Sequence, residues 1–159
     1  MIKKIIDWSN LFSLALICLV FGLDIFIKKV VLEHAQILPL FVASFFGKVD
    51  LWIDLVYNQG AAWGSFANYA TPLLIVRFII LFVVLVLFFR SKDLTKKIAY
   101  SLVIAGAFGN LYDTFSYGRV IDMVHFIFFG KSFGIFNLAD TSIFIGLITL
   151  LLAKKRVEI

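Results

Sequence analysis

Residues 72–89 read PLLIVRFIILFVVLVLFF, an apolar run close to the roughly 20 residues that a helix needs to cross the hydrocarbon of a bilayer. Similar runs occupy residues 11–27 and 98–115, and a shorter one covers 143–153, extended by residues 136–142. Hydrocarbon offers the backbone no water, so each run must satisfy its own amides and carbonyls by coiling into a helix. Together they predict an all-α membrane protein. It is expected to be one domain, residues 1–159, a four-transmembrane-helix bundle with spans at about 11–27, 72–89, 98–115 and 136–153. An outer loop at about 30–70 forms a small extracytoplasmic β-like cradle.

Composition agrees with that solvent. The 159 residues are 62% hydrophobic and 16% charged, with a mean hydropathy of +1.03. Soluble domains are about half apolar and a quarter charged. The net charge of +5 carries topological information. Lys3 and Lys4, then Arg90, Lys92, Lys96 and Lys97, then Lys154, Lys155 and Arg156 fall in alternate connections and outnumber Lys28, Lys29, Lys48, Arg119 and Lys131 in the others. Because basic residues stay on the cytoplasmic side, both termini are expected inside the cell. That bias accounts for the positive excess without a nucleic-acid partner.

Lys3 and Lys4 before an apolar stretch imitate an export signal. No small-x-small cleavage site follows, and Leu16-Ile17-Cys18 lacks the small residue of a lipid-modification site, so the first span is expected to remain as a permanent helix. Cys18 is the only cysteine, which excludes an internal disulfide, and it is expected to be buried apolar filler.

With this topology the polar residues collect at the outer ends of the spans. Asp24 and Lys28 close the first span, Asn110 and Asp113 the third, Asp140 opens the fourth, and Asp122 lies in the outer connection between the last two. Asp24 and Lys28 are four apart, on one helical face and in the favourable acid-before-base order. Their spacing fits either charge neutralisation or a substrate contact. Residues 50–66 alternate in a strand-like manner, with Leu51, Ile53, Leu55 and Tyr57 opposing Trp52, Asp54 and Val56. Asn58-Gln59-Gly60 then turns, and Ala61, Ala62 and Gly64 allow close backbone approach. Trp52, Tyr57 and Trp63 suit the headgroup zone. Ala105, Gly106, Ala107 and Gly109 let helices approach closely.

Asp122 and Asp140 are the strongest chemical candidates. Two carboxylates held close in a poorly hydrated site cannot both ionise cheaply, so they share a proton and titrate as a pair. One then takes a proton from water while the other donates to the carbonyl or leaving nitrogen, the division of labour of aspartic proteases. This chemistry needs no metal and no cofactor. His34 and His125 are isolated and lack the HExxH spacing of a zinc peptidase, and the serines lack the Lys or His arrangement typical of a serine nucleophile. A proton-coupled carrier is the alternative, since intramembrane carboxylates also serve as relays. The one-sided carboxylates and the lack of a recognisable inverted repeat argue against it.

The motifs Asp24-x-x-x-Lys28, Asn58-x-Gly60-Ala61-Ala62-Trp63-Gly64, Gly109-Asn110-Leu111-x-Asp113, Gly118-x-Val120-x-Asp122 and Phe136-Asn137-x-Ala139-Asp140 resemble, in order, those of bacterial lipoprotein signal peptidase, or signal peptidase II. The resemblance covers most of the chain. It implies an intramembrane aspartic endopeptidase of the bacterial inner membrane, active near the periplasmic face, that cuts the signal peptide from a diacylglyceryl-modified prolipoprotein just before the lipidated cysteine. It implies Asp122 and Asp140 as the catalytic dyad, with Asp24, Lys28, Asn58, Gly60, Asn110, Asp113, Asn137 and Ala139 shaping the site or binding substrate. The expected partners are the lipid-modified prolipoprotein and membrane lipids, with the enzyme itself a monomer. Two positions depart from the pattern. Thr114 stands where the family commonly has arginine, and it cannot supply a bidentate cationic fork. Trp63 stands where phenylalanine is more usual.

Overall fold

The computed structural model describes residues 8–58 and 70–153. The chain runs α1 (Trp8–Glu33), a single 3-10 turn (Ala35–Ile37), β1 (Leu40–Phe45), β2 (Val49–Asn58), α2 (Ala70–Arg90), α3 (Leu94–Tyr117), β3 (Val120–Phe128), β4 (Lys131–Phe136) and α4 (Leu138–Leu152). Helices occupy all four expected spans, and α1 and α2 are long and apolar enough to cross a membrane. α3 has 24 residues, or about 36 Å at 1.5 Å per residue, but polar side chains dilute its apolar character. α4 has only 15 residues, about 22 Å, less than the roughly 30 Å of a bilayer core.

The distribution of side chains reverses that of a soluble protein. Phe12, Leu19 and Phe26 of α1 and Ile79, Phe82 and Phe89 of α2 face outward, while Ser13, Asp24, Lys28, Lys97, Ser101, Asp113 and Ser142 are buried between the helices. Exposed apolar area on this scale in water would drive association. Facing lipid, it is the matched solvent. Leu81, Phe88, Ile104 and Leu111 form an apolar seam between α2 and α3. The closest packing is between α3 and α4. A Cβ on Gly146 would fall 2.7 Å from the Ala99 carbonyl oxygen, so only glycine permits that approach. Cys18 is exposed on α1, which corrects its expected burial. It lies on an outward apolar face because position 18 is turned away from the buried Ser13, Asp24 and Lys28.

The all-α expectation is also corrected. The strands form one four-stranded antiparallel sheet in the order β1-β2-β3-β4. β2 matches the alternation read from residues 51–57, but β3 and β4 occupy a stretch expected as a plain connection. β3, Val-Ile-Asp-Met-Val-His-Phe-Ile-Phe, is rich in β-branched and aromatic residues yet does not alternate polar with apolar. Its first residues are buried on both faces, and strands buried on both faces lose the period-2 signal. Val31, Ile121 and Met123 pack the sheet onto the end of α1.

Two local features aim the chain at the site. Gly118 ends α3 at φ +71°, a left-handed cap that lets the chain reverse into β3. The β2/β3 register shifts between Ile53 and Val56, after which Val56 opposes Asp122. Such a bulge re-aims the side chains beyond it.

Candidate active site

Asn137 is fully buried and caps α4, its Oδ1 accepting from the Asp140 amide at 2.7 Å. Capping by asparagine is ordinary helix chemistry, but here the other half of the side chain is also engaged. Asn137 Nδ2 faces Asp122 Oδ1 at 2.8 Å, Asn110 Oδ1 at 3.1 Å and the Ile121 carbonyl at 3.1 Å. Its two amide hydrogens are thus shared among three acceptors.

Asp122 on β3 is 2% exposed. Asn58 Nδ2, at the end of β2, donates to its second oxygen at 3.0 Å. Burial raises the Asp122 pKa from 3.8 to about 6; the bonds from Asn58 and Asn137 pull it down, and the nearby charge of Asp140 pushes it further up. Asp140 stands in the first turn of α4, where Asn110 Nδ2 of α3 donates to Oδ1 at 2.7 Å. The two aspartates are therefore joined through the amides of Asn137 and Asn110, and Asp140 keeps some solvent access while Asp122 does not.

Beneath them lies a second buried layer. Lys28 bridges Asp24 at 2.6 Å and Asp113 at 2.7 Å, all three being at most 2% exposed. Asp24 Oδ1 accepts from the Ala139 amide at 2.9 Å, and Asp113 Oδ2 accepts from the Ile121 amide at 3.1 Å. The residues before the two candidate aspartates, Ala139 and Ile121, are thus each held by one carboxylate of the lysine-centred triad. Buried charges with these partners act as a frame. Asp24 and Lys28 neutralise one another's charge inside the protein, 1% and 2% exposed. Gly109 makes the frame possible, since a Cβ there would sit 2.5 Å from Asp24 Oδ2 and 3.1 Å from the Ala139 Cβ.

The fold thus brings together Asp24, Lys28, Asn58, Asn110, Asp113, Asp122, Asn137, Ala139 and Asp140 from α1, β2, α3, β3 and α4. Gly60, with Ala61, Ala62, Trp63 and Gly64, lies outside the described residues. His125 is satisfied by Asp54 at 3.3 Å and Ser132 at 2.8 Å. Arg119 stands over the Tyr57 ring at 4.2 Å. Sequence reasoning missed Arg77, whose Nη1 reaches Thr114 Oγ1 at 3.5 Å. The available signal was its being the lone charge in residues 72–89, which in a membrane helix points to function.

Comparison with known proteins gives a consistent result. A family model described as signal peptidase (SPase) II matches residues 16–155. The lipoprotein signal peptidase of Wigglesworthia glossinidia brevipalpis is 35% identical over 142 residues, covering 86% of this chain and 89% of that protein. That of Chlamydia muridarum is 42% identical over 133 residues, 77% of each chain. A solved bacterial membrane enzyme superposes with a TM-score of 0.78 at 30% identity, covering 93% of this chain and 94% of its own.

Proposed function

The chain belongs to the signal peptidase II family of aspartic peptidases, and on that premise we propose that Asp122 and Asp140 are its catalytic dyad, cleaving a diacylglyceryl-modified prolipoprotein before the lipidated cysteine. The observation that carries this reading is the shared seat on Asn137, which donates to Asp122 and accepts from the Asp140 amide. One buried amide thus fixes the carboxylate of Asp122 and the backbone that carries Asp140, whose own carboxylate is held by Asn110. Catalytic groups need that kind of fixed geometry.

In this mechanism the pair holds one proton between them. Asp122, raised to about 6, is the member suited to carry it. Asp140, at the more open edge, takes a proton from the attacking water, and Asp122 protonates the scissile carbonyl. As the C–N bond of the tetrahedral diol breaks, Asp140 gives its proton to the leaving nitrogen and Asp122 takes one back from a diol hydroxyl, leaving acid, amine and a dyad with its single proton. Asn58, Asn110 and Asn137 hold the carboxylates during these transfers, and the Asp24–Lys28–Asp113 triad holds the backbone that carries them.

The topology we infer has four spans, both termini cytoplasmic, a single domain and a monomeric enzyme. A short α4 reaching up from the inner face ends about 8 Å below the outer boundary, which recesses Asp140 beneath the sheet. Signal peptide and lipid enter sideways from the bilayer, and the depth of the acyl chains sets which bond meets the dyad.

The test uses purified protein in detergent, a lipidated prolipoprotein and a chelator. A mass shift on a gel is expected for the native chain, and none for Asp122→Asn or Asp140→Asn, both still inserted in the membrane. Substantial cleavage by either variant rejects the dyad. Proton flux into sealed liposomes carrying the protein, without proteolysis, would identify a carrier instead.

A further inference from the structure

Arg77 lies seven residues beyond Ala70 in α2, about 10 Å along the axis at 1.5 Å per residue. Its neighbours Val76 and Phe78 are exposed apolar side chains, whereas Arg77 is half-buried, so its charged end turns toward α3. A guanidinium at that depth is expensive unless it faces a protein interior or a polar cavity. Leu81 and Phe88 hold α2 to α3, and the Phe78 and Phe115 rings meet at 6.0 Å beside it.

Its contact leads to the dyad. Arg77 Nη1 lies 3.5 Å from Thr114 Oγ1, and Thr114 Oγ1 donates to the Asn110 carbonyl at 2.8 Å. Asn110, one turn earlier on the same face of α3, donates to Asp140 at 2.7 Å. The guanidinium therefore stands one helical turn from the residue that orients Asp140.

A peptide about to be cut must be extended, and at membrane depth its freed carbonyls have no water to accept from. A guanidinium presents five donors in a fixed fork. We propose that Arg77 is a substrate-binding residue, reaching the site from α2 over Thr114 to donate to backbone carbonyls of the extended signal peptide beside the scissile bond. The inference rests on the peptidase reading above.

The experiment compares cleavage kinetics of a lipidated prolipoprotein by the native chain, Arg77→Leu, Arg77→Gln and the relocated-charge pair Arg77→Leu with Thr114→Arg, all in detergent. Loss of a charge-assisted hydrogen bond is expected to raise KM roughly tenfold or more in both single variants with kcat changed less than threefold. The relocated pair is expected to recover most of the loss, because position 114 faces the same space. Unchanged KM in whichever single variant keeps the native unfolding temperature overturns the proposal. So does a fall in kcat alone. Absence of cleavage by the native chain would count against the peptidase reading itself, so the two failures are distinguishable.

Discussion

Lys28 of α1 and Asp113 of α3 meet at 2.7 Å with both side chains buried, and the same ammonium holds Asp24 at 2.6 Å. One cation thus joins two helices and two carboxylates beneath Asp122 and Asp140. Lys28→Met leaves those carboxylates buried without a counter-charge and is expected to destabilise the fold by about 3–5 kcal/mol. Adding Asp24→Asn and Asp113→Asn restores part of that loss, because neutral amides tolerate burial better than charges. Unfolding in detergent measures both, and a single variant as stable as the native chain would remove the triad from the framework.

Asn137→Ala deletes a helix cap worth about 1 kcal/mol and the donor to Asp122. Turnover is expected to fall about a hundredfold, the penalty for catalytic groups displaced by an ångström. The drop in kcat should far exceed what the small change in unfolding temperature explains. A native rate in this variant would mean that Asn137 caps α4 and does nothing for the chemistry.

The raised pKa of Asp122 has a signed consequence for stability. With about 6 in the folded protein against 3.8 ordinarily, the native state binds a proton between those values that the unfolded chain does not. The contribution of this group is fully present below pH 3.8, declines as pH rises, and is lost above about 6. The native chain is therefore expected to gain stability relative to Asp122→Asn as pH falls from 7 to 5. Parallel unfolding curves for the two proteins across that range would contradict the assigned pKa.

Phe46, in the β1–β2 turn, is 97% exposed and lies at the end of the sheet assigned to the outer face. In a Cys18→Ser background, Phe46→Cys is expected to react in intact spheroplasts with a maleimide that cannot cross membranes. Reaction only after permeabilisation would invert the topology.

Much of the site was legible in sequence because its signals are local. Asp24 with Lys28, and Asn110 with Asp113, are related by helical periodicity, and Phe136-Asn137-Leu138-Ala139-Asp140 opens a helix with its own cap. β3 was not legible, because its first residues are buried on both faces and lose the alternation. Cys18 was misread because burial is reversed where lipid is the solvent.

The sequence by itself determined which segments are helical and apolar, since backbone satisfaction in hydrocarbon and side-chain period act over a few residues. Only the tertiary structure decided that Asn137 serves both aspartates, that Lys28 binds Asp24 and Asp113 together, and that Arg77 reaches Thr114 across 37 positions. The contacts of Asn137 to Asp122, Lys28 to Asp113 and Arg77 to Thr114 join different elements, and close packing around Gly109 and Gly146 sets them where no linear spacing can.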